Sequence, residues 1–105
     1  MTLDEAKLAA DCWMRPPMLI SLEEQLRILH AHSNTARRQM LDLLSDDRQW
    51  ARICALGDNR LKAAADVYGD RSFHAQPDAL MWECMEELAD GRAYLAMKCE
   101  RELGQ

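Results

Sequence analysis

Apolar residues recur along this chain at intervals of three and four, the repeat of a helix surface, and no run alternates in the manner of a strand. After Ser21 the stripe runs through Leu22, Leu26, Leu29, Met40, Leu43 and Leu44, and after Pro77 through Met81, Cys84, Met85, Leu88, Leu95, Cys99 and Leu103. Wound at about 100° per residue, each stripe occupies one side of a helix and needs a cover. Ala, Leu, Met, Glu, Gln, Lys and Arg fill the sequence while β-branched residues are scarce, which favours helix throughout.

The boundaries follow from capping residues and prolines. Thr2 and Glu5 form a capping box for a first helix that runs to about Trp13, where Arg15-Pro16-Pro17 stops it. Ser21 and Glu24 form a second box, and the helix they open is expected to bend at Ser33-Asn34-Thr35, three weak helix formers. Ser45, followed by Asp46 and Asp47, reads as the N-cap of a short helix through Trp50, Ile53 and Cys54 to Gly57. Asp58 or Asn59 then caps a fourth, Ala-rich helix ending at Tyr68-Gly69. Residues 70–76 form an irregular connection, and Pro77, with Asp78 beside it, opens the longest helix, reaching about Leu103. The expectation is an all-α fold: one domain over residues 1–105, a small bundle of four to five helices with a long C-terminal helix. A chain of 105 residues has room for one hydrophobic core.

Composition narrows the function. The apolar share of 49% and charged share of 30% are those of a folding domain. No apolar run approaches the ~18 residues of a membrane span, and residues 1–7 carry acids where a signal peptide would be basic, so a cytoplasmic protein is expected. Cys12, Cys54, Cys84 and Cys99 lack the close pairing of a zinc or redox motif and read as reduced core thiols. A net charge of -5 argues against general DNA or RNA binding, which needs a basic surface, and suits a divalent cation, a basic protein partner, or simple solubility.

The chemical content lies in the last helix. Opposite its apolar stripe stand Glu83, Glu86, Glu87 and Asp90, spaced E-x-x-E-E-x-x-D. At helical pitch they span an arc of about 80° to 100° over roughly two turns. An amphipathic helix with a solvated charged face explains this pattern without any ligand. The functional reading is that stacked carboxylates hold one or two Mg²⁺ ions, which favour carboxylate oxygens, water and substrate phosphates. Tyr94, one turn beyond Asp90, would then stack on a base, where its ordinary role is half-buried packing.

These residues carry a resemblance. Met85-Glu86-Glu87-Leu88-Ala89-Asp90-Gly91-Arg92-Ala93-Tyr94-Leu95 resembles the second metal motif of the MazG-like all-α nucleoside triphosphate pyrophosphohydrolases, in which a helical E-x-x-D is followed by an aromatic. Tyr68-Gly69-Asp70-Arg71-Ser72-Phe73-His74 is similar to a segment preceding that helix in divergent phage-encoded relatives. The resemblance implies cleavage of a nucleoside triphosphate to monophosphate and pyrophosphate with Mg²⁺. It gives Glu87 and Asp90 the E-x-x-D role, with Glu83 or Glu86 as further ligands. Such proteins draw a second acidic set, E-E-x-x-E, from the preceding helix; here Asp58 to Asp66 contains none, and Glu23-Glu24 is followed at the third position by Arg27.

Around this helix, Arg60, Lys62, Arg71 and His74 are candidate phosphate ligands, and the alternative is that Arg71 and His74 pair with Asp66 and Asp70. His30 and His32 are two apart, on different helix faces, and read as surface residues. Trp13, Trp50, Trp82 and Phe73 read as core or interface anchors, and Arg37-Arg38 is too short for a nucleic-acid patch. Seven Met among many Leu make an adaptable helix surface, and a homodimer or larger homo-oligomer is expected. Two functions follow: a MazG-like protein binding Mg²⁺ and a nucleotide, or a non-enzymatic inhibitor or adaptor of phage type that meets a basic protein partner with its acidic helix.

Overall fold

The computed structural model describes residues 19–104. The helix expected over residues 2–13, with Cys12 and Trp13, lies outside the described residues. Among those described there are four α-helices, one turn of 3₁₀ helix and no strand. Helix α1 spans Leu22–Ala31, α2 Ser33–Ser45, α3 Asp47–Tyr68 and α4 Pro77–Leu103, with the 3₁₀ turn at Arg71–His74 between the last two. The all-α expectation and the long C-terminal helix hold.

Capping chemistry accounts for most boundaries. The Ser21 hydroxyl accepts from the Glu24 amide at 3.1 Å and starts α1. The Glu24 carboxylate does not close the reciprocal half of a capping box; it takes a two-pronged hydrogen bond from Arg27 at 2.5 and 2.8 Å instead. That bond holds the Glu24 carboxyl below its ordinary pKa and the Arg27 guanidinium above its own. The chain breaks rather than bends, and it does so at His32, one residue before the weak Ser33-Asn34-Thr35 run.

Two expectations about the middle of the chain are corrected. Ser45 is the last residue of α2, and the N-cap of α3 is Asp46, whose carboxylate accepts from the Gln49 amide at 2.9 Å. The helix through Trp50 does not stop at Gly57 but continues to Tyr68, so two expected helices are one of 22 residues. A mid-helix glycine costs about 1 kcal/mol relative to alanine, too little to end a helix that good formers continue on both sides. Gly69, at φ 64°, ends it instead, in backbone space open chiefly to glycine.

Helix α4 is the spine. Helices α1 and α2 pack on it, and the one extensive contact of α3 is with α2. Small residues allow the closest approach. Ala36 of α2 and Ala96 of α4 are fully covered, and a Cβ added at Gly91 would come within 3.3 Å of Met40 Cε. Around them Cys99 donates its thiol hydrogen to Gln39 Oε1 at 3.8 Å, and His32 Nε2 lies 2.6 Å from Glu100 Oε2. His32 is thus a half-buried bridge from the α1–α2 junction to α4, and not a surface histidine.

Much of the remaining apolar surface among the described residues is open. Ala36, Ala96 and Cys99 are the only buried residues among those described. Trp50, Trp82 and Phe73 are exposed, as are Cys54 and Cys84, so among the described residues these side chains do not form a core. The α4 stripe is covered from Leu95 to Cys99 and open from Met81 to Leu88. The radius of gyration is 17.6 Å, against about 13 Å for a compact chain of 100 residues.

Candidate functional site

The acidic residues stand on the first half of α4, started by Pro77 in its first turn with Asp78 favourably placed against the helix dipole. Glu83, Glu86, Glu87 and Asp90 are all exposed. Among the described residues none of them makes an ion pair or side-chain hydrogen bond. Helical pitch places them on the side of α4 away from Met81, Met85 and Leu88, and so away from α1 and α2. They form a row along one helix rather than a cage. No group of three or more His, Cys, Asp or Glu side chains that could hold a metal ion occurs among the described residues. A divalent ion here would meet carboxylates from one helix only and would need further oxygen ligands from outside the described chain.

The candidate phosphate ligands are not gathered around this row. Arg60 and Lys62 lie in the second half of α3, which has no extensive contact with α4. Arg71 and His74 sit in the exposed 3₁₀ turn, where His74 Nε2 is 2.9 Å from Asp70 Oδ2, a local pairing rather than a phosphate site. Arg71 is exposed with no ion-pair partner among the described residues. Tyr94 is 71% exposed and covers nothing.

A second feature escaped the sequence reading. Between α2 and α4 runs a groove of ≈ 560 Å³ lined by Ser33, Arg37, Met40, Met85, Leu88 and Arg92, among others. It is the open half of the α4 stripe with two guanidinium groups at its walls. Arg92 Nε is shielded from solvent and lacks a hydrogen-bond partner, and neither arginine has an ion pair among the described residues. The sequence held a signal, since Arg92 falls inside the stripe Met85, Leu88, Leu95, where an arginine is out of place.

No protein-family model, no curated protein and no solved structure matches this chain.

Proposed function

We propose that this chain is a non-enzymatic interaction protein that presents the acidic first half of α4 to a basic surface on a partner protein. One observation carries the reading: from Pro77 to Gly91 the helix bears Asp78, Glu83, Glu86, Glu87 and Asp90 without a single cation, all exposed. An unneutralised row of that kind raises the local negative potential, steers an oppositely charged partner and fixes its orientation. The activity belongs to the cytoplasm, where exposed thiols such as Cys54 and Cys84 stay reduced. Among the described residues no helix is long and apolar enough to cross a membrane.

The test is titration of the protein with a lysine- and arginine-rich helical peptide, followed by fluorescence anisotropy over a range of salt. Saturable binding that weakens steeply with salt is expected, falling about tenfold or more when Glu83, Glu86 and Glu87 become Gln and Asp90 becomes Asn. Binding indifferent to these four changes refutes the proposal.

The free carboxylate row also supports a second reading, that of the MazG-like resemblance, in which Glu83, Glu86, Glu87 and Asp90 hold Mg²⁺ and a nucleoside triphosphate once a neighbouring chain supplies the missing oxygens. Calorimetric titration with Mg²⁺ and nucleoside triphosphates decides between them. Saturable heat abolished by Glu87→Gln or Asp90→Asn supports the metal reading, and its absence leaves the interaction reading.

A further inference from the structure

We infer that the open first half of α4 packs antiparallel against the same segment of a second copy of this chain, with Asp78 of each copy paired to Arg92 of the other. The acidic row faces away from this contact, so the inference does not depend on what that row binds.

From its first turn the stripe of α4 follows a seven-residue repeat. Asp78, Met85 and Arg92 fall on one line of the repeat and Met81, Leu88 and Leu95 on the other, the two lines along which one helix meets a second. Helices α1 and α2 pack on α4, and the residues fully or nearly covered there, Ala96 and Cys99, lie in its second half. Ahead of them the seam is open, with Met81 62% exposed, Met85 53% and Leu88 45%. The open segment from Asp78 to Arg92 is about 21 Å long, two heptads of helix.

Charge selects both the partner and its direction. The open seam holds two charges of opposite sign, Asp78 at its start and Arg92 at its end. Neither makes an ion pair among the described residues, and Arg92 Nε is shielded from solvent without a hydrogen-bond partner. A guanidinium set among apolar side chains calls for a carboxylate when the surface around it is covered. A second α4 running the opposite way supplies one at each end. With Met85 set against the partner's Leu88, the stem of Arg92 lies over the partner's Met81 and its guanidinium reaches the partner's first turn, where Asp78 stands. Trp82 then falls opposite the partner's Ala89, large against small. Parallel pairing would instead set aspartate beside aspartate and arginine beside arginine, and would crowd both copies of α1 and α2 at one end.

The remaining charges are consistent with this pairing. The positions flanking the open seam are Trp82, Cys84, Ala89 and Gly91, none of them charged. Glu83, Glu86, Glu87 and Asp90 take the outer positions of the repeat, which helix axes roughly 8–10 Å apart hold beyond about one Debye length of each other. Arg37, on the rim of the groove between α2 and α4, is exposed and keeps its water. The α3 stripe offers no such match, because Arg60 flanks it as well as Asp58 and would bring a further cation to the groove. The exposed leucines of α1 and α2 lie outside the seam, and the pairing leaves them as they are. Because the contact is self-complementary about a two-fold axis, it closes at two copies.

The experiment measures mass and dissociation constant by light scattering and sedimentation equilibrium on the full chain. The wild type is expected to approach twice its 12.1 kDa mass as concentration rises. Asp78→Arg and Arg92→Asp are each expected to weaken dimerisation by about tenfold or more, since each sets like charges together at both ends of the contact. Mixing the two single variants is expected to restore a dimer containing one chain of each, because both charge pairs are then re-formed. That recovery distinguishes a contact from misfolding, and circular dichroism identifies any variant that has lost helix. Met85→Asp is expected to give monomer, whereas Leu61→Asp on α3 and Leu41→Asp on α2 leave the dimer in place. Neutralising Glu83, Glu86, Glu87 and Asp90 also leaves it intact, so failure of the acidic-surface reading stays separate from failure of this one. A monomer at all concentrations, a dimer indifferent to both charge reversals, or a dimer lost in Leu61→Asp or Leu41→Asp but kept in Met85→Asp would each overturn the inference, the last assigning the interface to α3 or α2.

Discussion

Glu24 shows how a single exposed side chain imprints a pH dependence on this fold. Its carboxyl is held below the ordinary value of 4.5 by the Arg27 hydrogen bond. A depressed native pKa means that the ionised form is favoured by folding, so the contribution is complete above about pH 4.5 and is lost as pH falls through the native value. Solvent screens the pair, so the effect is small. An acid titration followed by circular dichroism should show α1 loosening in that window, and Arg27→Gln should remove this component while leaving the rest of the curve in place. Sequence alone made Ser21 legible as a cap because a hydroxyl before an apolar run satisfies an otherwise orphaned amide. It could not make the partner of Glu24 legible, because position 27 competes with the backbone for the same carboxylate.

At the scale of elements, the caps and the α1–α2 junction carry separable energies. Removing the Asp46 side chain with Asp46→Ala orphans the Gln49 amide and should cost about 0.5–2 kcal/mol in urea denaturation, most of it from the first turn of α3. The adjacent Asp47 does not replace it, since Asp47 is already inside the helix. Ser45 and Asp46 are both good capping residues, and the choice between them was set by how far α2 could continue on α4. Tertiary packing is not written in capping propensity, whereas Gly57 looked like a terminus and is not one for a local reason, that good helix formers continue on both sides of it. His32 and Glu100 make the complementary case. They are 68 residues apart in sequence, so no local pattern pairs them, yet His32 is only 12% exposed and bridges to α4. A double-mutant cycle with His32→Ala and Glu100→Ala should give a coupling of roughly 0.5–3 kcal/mol, whereas additive losses would show that the contact is incidental.

At the scale of the whole molecule, helicity and helix order could be read from the sequence because they rest on local periodicity, while the cover for each stripe could not. Stripes on α3 and on the first half of α4 announce that something must lie over them without saying what. The structure answers this for Leu95 to Cys99 and leaves Met81 to Leu88 and Trp50 to Tyr68 open. The carboxylate row was legible as a row for the same local reason; whether other ligands converge on it depends on neighbours that spacing does not encode. A chain that buries only Ala36, Ala96 and Cys99 among its described residues gains little of the hydrophobic stabilisation that offsets chain entropy, which runs at about 1–2 kcal/mol per residue for the backbone. Association over the open stripes would add to its stability, and mass action makes that measurable. The urea midpoint should rise with protein concentration across a hundredfold dilution series, and helix content at the lowest concentration should fall before any denaturant is added. A midpoint that stays fixed would mean that the open stripes are tolerated by the isolated chain and that its stability comes from within one copy.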